Sequence, residues 1–148
     1  MKEIACIFLL ILVVIPSANG QGLSKSEITK KWQLKEGWFP LENLQFIETK
    51  MEQSNDIFKF EENGTITHLG SLEGMDCDVG ELTLKDGKWT LENDLLTLEL
   101  RGLKISDYWY WWKVQYKIVI EENKMLLEVL KNRQISPTQT WEELITEK

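Results

Sequence analysis

From Tyr108 to Ile120 every even-numbered residue is apolar: Tyr108, Tyr110, Trp112, Val114, Tyr116, Ile118 and Ile120. Between them stand Lys113, Gln115 and Lys117. Alternation with a period of two over that length specifies one long β-strand with a dry face and a wet face. Trp109 and Trp111 depart from the pattern, because they place indoles on the face that should meet water.

The turns on either side are constrained by the same requirement, that apolar residues on the two arms of a hairpin share a face. Phe58 and Phe60 precede Asn63-Gly64. A two-residue turn there would set Ile66 opposite Glu61. A three-residue turn with Gly64 in the left-handed conformation pairs Phe60 with Ile66 and Phe58 with His68 instead, and it turns the single histidine inward. Asp86-Gly87 is a favoured hairpin dipeptide; a turn at that point pairs Lys85 with Lys88, Leu84 with Trp89 and Leu82 with Leu91. A loop over Glu92 to Leu95 then sets Leu91 opposite Leu96 and Trp89 opposite Leu98. At Gly102 the phase changes, since Leu96, Leu98 and Leu100 are even while Leu103 and Ile105 are odd. A bulge at the glycine restores the inward set and bends the strand. Glu122-Asn123 closes the last hairpin and pairs Ile120 with Met125, Ile118 with Leu127 and Tyr116 with Val129.

The N-terminal region has a different character. Lys2, an apolar run from Ile4 to Ile15 and the small-residue exit Pro16-Ser17-Ala18-Asn19-Gly20 together read as a secretory signal. About 12 apolar residues are too few for a helix to span roughly 30 Å of hydrocarbon, which weighs against the competing reading of an uncleaved anchor. Cleavage after Gly20 leaves a barrel domain over residues 21–148, exported to the periplasm or the exterior. Cys6 lies early in the apolar run rather than at its end, so no lipoprotein is expected. The lost segment carries one charge of each sign, and the net charge stays at −7. With no basic cluster in the sequence, nucleic acid and anionic membrane surfaces are poor partners. Only Cys77 remains, so stability must come from packing rather than a disulfide. Asp76 and Asp78 beside it disfavour the thiolate. This acidic pair is open to weak calcium binding or, more simply, to a solvated loop.

Ser24 and Glu27 stand in capping-box spacing and start a helix of one or two turns, followed by a strand through Trp32 and Leu34. Two readings are open for residues 37–55. Leu41, Leu44, Ile47 and Met51 have helical spacing after Pro40, which suits a short helix or lid; an irregular loop is the alternative. Ser136-Pro137 and Thr140-Trp141-Glu142-Glu143 begin a terminal helix with Trp141 and Leu144 as its packing residues. Strands near Trp32, Phe58, Ile66, Leu82, Trp89, Leu98, Trp112 and Leu127, joined by short loops, predict an all-β fold. The expected form is an eight-stranded antiparallel up-and-down barrel with short N-terminal and C-terminal helices.

The stretch Asp56-Ile57-Phe58-Lys59-Phe60-Glu61-Glu62-Asn63-Gly64-Thr65, then Cys77, Gly87-Lys88-Trp89-Thr90-Leu91, the strand Leu95 to Leu100 and the strand ending at Leu127 resemble the exported lipocalin-like domain proteins of Bacteroidetes-type bacteria. The resemblance implies a lipocalin-like barrel and binding of a small apolar or amphipathic molecule. Many relatives have a cysteine shortly before the first hairpin; here Glu52-Gln53 stands there.

Phe58, Trp89, Tyr108, Tyr110 and Trp112 are the candidate lining of a ligand cavity, with His68 as a polar handle; aromatic walls with a few polar tips suit small molecules. The competing reading is that these rings, His68 included, simply fill a narrow barrel. Trp109 and Trp111, spaced about 7 Å apart on one side of a strand, are open to use as an external platform for a glycan or a partner protein. The favoured reading is that a terminal helix covers them through Trp141 and Leu144. Asn63-Gly64-Thr65 fits a glycosylation pattern but is explained as a turn. No nucleophile, base and orienting group stand together and no second histidine accompanies His68, so no catalytic activity, metal or cofactor is expected.

Overall fold

The protein is described here from a computed structural model covering residues 22–52, 57–69, 83–105 and 107–146. The expected signal segment, Cys77 with its neighbouring aspartates, and Leu82 lie outside the described residues.

The elements run in the order α1 (Lys25–Ile28), β1 (Lys31–Glu36), β2 (Leu44–Glu48), β3 (Ile57–Phe60), β4 (Thr65–His68), β5 (Thr83–Glu92), β6 (Leu95–Ile105), β7 (Tyr108–Glu121), β8 (Lys124–Thr138) and α2 (Trp141–Thr146). The eight strands form a closed antiparallel barrel, neighbours following the order β1-β2-β8-β7-β6-β5-β4-β3. From β3 to β8 the order is up-and-down, as expected. The departure is at the seam, where β2 lies between β1 and β8 and β1 pairs with both β2 and β3.

Three turns form as the apolar pattern requires. Gly64 adopts φ +87° and pairs Phe60 with Ile66 and Phe58 with His68. Asn93, at φ 58°, lies in the β5–β6 turn, with Leu91 opposite Leu96 and Trp89 opposite Leu98. Glu122 turns β7 into β8 with the expected pairs, Ile120 with Met125 and Ile118 with Leu127. Gly102, at φ +80°, is the bulge between Arg101 and Leu103.

Two expectations are corrected. Asp86-Gly87 is no turn: it lies inside β5, where Gly87 pairs with Leu100 on one side and with Ile66 on the other. A hairpin there would strip the distal part of β6 of its partner; the continuous strand keeps those ladder bonds. Leu84 and Trp89 still share the inward face, because β5 changes phase opposite Gly102, with Leu84 across from Leu103 and Gly87 across from Leu100. A side chain at Gly87 would meet Leu84 Cδ2 at 2.7 Å and the Ile66 carbonyl at 3.0 Å, so the bend needs glycine. Thr83 and Leu84 thus belong to the same strand as Trp89, and the eighth strand among the described residues is β2, in the stretch read as a helix or loop. Leu44 and Phe46 are buried while Leu41 and Met51 are exposed, which is the period of a strand and not of a helix.

The core fills the end where α1 sits. Ile28 of α1 is buried, and Trp32 Nε1 donates to its carbonyl at 2.9 Å. The α1 start carries the expected cap: Ser24 N and Oγ both donate to Glu27 Oε2 at 2.8 Å. These bonds, the backbone one first, hold the Glu27 carboxyl below its ordinary pKa. A carboxylate depressed in the folded state adds stability above its unfolded pKa, and that contribution is lost as pH falls through the folded value. Glu27→Gln should cost under about 1 kcal/mol at neutral pH and make no difference in acid, checked by urea unfolding at both pH values.

Candidate functional site

Among the described residues, the barrel is closed tightly at the α1 end and loosely at the other. β2 pairs with only four residues of β8, Lys124 to Leu127. Beyond them, among the described residues, β8 keeps β7 as its ladder partner, and Val129 N donates to the Asn43 side chain at 2.9 Å. Extra residues in β8 opposite Trp111/Trp112 and Gln115/Tyr116 leave Leu130 and Ile135 exposed. These bulges, with Lys131, Arg133 and Pro137, blunt the free edge against pairing with another chain.

The inward row of β7 records the transition from core to solvent. Val114 and Tyr116 are fully buried, Trp112 and Tyr110 are half-buried, and Tyr108 is 44% exposed. Tyr110 and Trp112 lie side by side with ring centroids 6.1 Å apart. Opposite them in the ladder stand Pro137 and Gln134, both exposed. Leu84 and Ile105 supply apolar wall, partly buried against the core. The indole N–H groups of Trp112 and of the outward Trp111 are both shielded from solvent and meet no acceptor among the described residues.

The other proposed lining residues lie deeper. Phe58 is wholly buried, its ring tilted against Phe39 (4.5 Å) and His68 (4.9 Å) and edge-on to Phe46 (5.9 Å). His68 faces inward as the hairpin register requires and is half-buried. Trp89 is buried against Phe60, its N–H donating to the Glu61 carbonyl at 3.0 Å. Phe58 and Trp89 are thus packed core, while Tyr108, Tyr110 and Trp112 line the open end.

Sequence reasoning missed the loop between β1 and β2. Phe39 and Pro40 tuck into the interior, and Tyr116 Oη donates to the Pro40 carbonyl at 2.5 Å. Burial pushes the Tyr116 phenol above its usual pKa, so it remains a donor. Tyr116→Phe leaves a buried carbonyl unpaired and should cost about 1–3 kcal/mol in chemical denaturation. Trp38, next to Phe39, is 67% exposed.

Trp109 and Trp111 sit on the outer face and are half-covered. Trp109 packs on Trp141 of α2 at 5.7 Å, and Lys85 Nζ lies over both rings, 4.6 Å and 5.0 Å from their centroids. Arg101 stacks on Trp111 at 4.8 Å and donates to the carbonyls of Leu144 and Ile145 at the end of α2. Leu144 is fully buried. Arg101→Ala removes both the stacking and the helix-end bonds, and should cost about 1–3 kcal/mol, with faster amide exchange in α2.

A further cleft of about 340 Å³ opens where β2 meets β8, lined by Glu36, Asn43, Leu44, Gln45, Leu126, Leu127 and Glu128. None of the proposed ligand residues reaches it. No helix among the described residues is long and apolar enough to cross a membrane. Compared with protein-family models, curated proteins and solved structures, the chain matches none of them.

Proposed function

We propose that this chain is an exported, non-catalytic protein that binds a small apolar or amphipathic molecule at the open end of its barrel, as a lipocalin-like protein would. The observation that carries the reading is the exposure gradient along the inner face of β7, from buried Val114 through Trp112 and Tyr110 to exposed Tyr108. An aromatic wall that a barrel neither buries nor turns outward is suited to a guest that completes its burial. The outward pair Trp109 and Trp111 supports α2, so no separate glycan or protein platform is drawn from it.

The test is titration with the uncharged fluorophore N-phenyl-1-naphthylamine. Fluorescence should rise on binding, and the Tyr110→Ala, Trp112→Ala double variant should weaken binding by at least about tenfold, since two rings contribute more than about 1.4 kcal/mol of contact. Absence of any rise, or equal affinity in the folded double variant, would overturn the reading. Export predicts that the mature protein recovered from outside the cytoplasm begins at Gln21, which mass spectrometry of the intact chain checks.

A further inference from the structure

Resting on that reading, we infer that Phe39 is the floor of the guest's chamber and limits the length of the molecule that the open end accepts. Phe39 and Pro40 cross the whole interior. The Phe39 ring centroid lies 4.5 Å from that of Phe58 on β3, and the Pro40 carbonyl accepts the Tyr116 hydroxyl on β7. In the closed order of strands β3 and β7 stand diametrically opposite each other, so the dipeptide bridges one wall to the other.

The inward row of β7 changes character at this level. Trp112 is half-buried, while Val114 and Tyr116 are fully buried. A guest lying along that row therefore ends near Trp112. Phe39 keeps 6% of its surface accessible, where Phe58 keeps 1% and Tyr116 none, so of these three rings it is the one an incoming molecule can meet. The loop that carries it is also pinned. Leu41 N and Glu42 N donate to the Trp38 carbonyl at 2.6 Å and 3.1 Å, closing its turn. At its neck Gly37 has φ +92°, a conformation that favours glycine, and the Asn43 side chain accepts from Val129 N at 2.9 Å. Chain length beyond a pinned floor finds no further apolar surface to cover. Tyr108 to Trp112 spans about 13 Å of strand, room for an extended chain of about ten carbons. The guest that fits is a short amphipath whose apolar part ends above Phe39.

The experiment uses 1-hexanol, 1-octanol, 1-decanol and 1-dodecanol as competitors of N-phenyl-1-naphthylamine. With the unaltered protein, affinity should rise about tenfold for each two carbons as far as 1-decanol and then stop rising. Phe39→Ala lowers the floor. It should bind 1-dodecanol at least about fivefold more tightly than the unaltered protein and change 1-hexanol by less than about twofold. Phe39→Leu keeps an apolar contact with Phe58 and should move the break in the same direction by less, which keeps the test open if the alanine variant does not fold. An unmoved break in the folded variants, an equal change for all the alcohols as a merely structural Phe39 would give, or affinity still climbing at 1-dodecanol in the unaltered protein would overturn this inference alone. Failure of the fluorophore itself to bind would overturn the proposed function with it.

Discussion

Trp32→Ala should remove about 3–5 kcal/mol of stability, the largest loss expected from a single side-chain truncation here. Trp32 is fully buried on β1, the strand that carries the barrel seam, and it lies between Glu48 of β2 and Phe58 of β3. Its indole also holds α1, because Nε1 donates to the Ile28 carbonyl. Truncation leaves an indole-sized void in a close-packed interior and unpairs that carbonyl. Trp32→Phe separates the two effects, since it keeps most of the volume and loses the bond; about 1–2 kcal/mol is expected for it. Urea unfolding of the three proteins measures both. A loss below about 1 kcal/mol for the alanine variant would mean that the interior is not packed around β1.

Gly102→Ala comes next, at about 2–4 kcal/mol, from two independent causes. At φ +80° any side chain is strained, by about 1–2 kcal/mol. A Cβ there would also stand 2.2 Å from Trp141 Cζ3, so the indole that anchors α2 must move away. The causes separate in a double-mutant cycle: in a Trp141→Ala background the collision vanishes and only the backbone penalty remains. Additive losses would show that Gly102 does not seat the helix.

The elements legible in the sequence were those whose two possible registers differ in where they send apolar side chains. Asn63-Gly64 was decided by Ile66, which one register buries and the other sets opposite Glu61. The Gly102 bulge was decided by the shift from Leu100 to Leu103. Asp86-Gly87 defeated the same criterion because a hairpin and a bent continuous strand both send Leu84 and Trp89 inward. A discriminating signal was nonetheless present. The shift from Leu84 to Trp89 matches the shift from Leu103 back to Leu100, as two neighbouring strands bending together would produce. β2 was missed because Leu44 and Phe46 are only two inward residues, too few to outweigh the helical spacing of Leu41, Leu44, Ile47 and Met51.

For the candidate site, the sequence named the inward aromatics of β7 but not their depth. Phe58, Trp89 and Trp112 look alike as large apolar residues on inward faces. Their separation into core and open end depends on how far the neighbouring strands extend. The short β2 stops at Leu44, and the loop carrying Phe39 and Pro40 enters the interior beyond it.

By itself, then, the order of residues determined which side chains face in, because a pleated strand fixes facing by parity and a turn transmits that parity to the next strand. Only the tertiary structure decided which strand closes the seam, which inward rings are sealed and which meet solvent, and that α2 covers the outer indoles. Those outcomes depend on contacts between segments far apart in the chain, such as Leu44 with Leu127, Tyr116 with Pro40 and Gly102 with Trp141. A local pattern carries no record of such partners, whose pairing is settled by the competition of all segments for one shared interior.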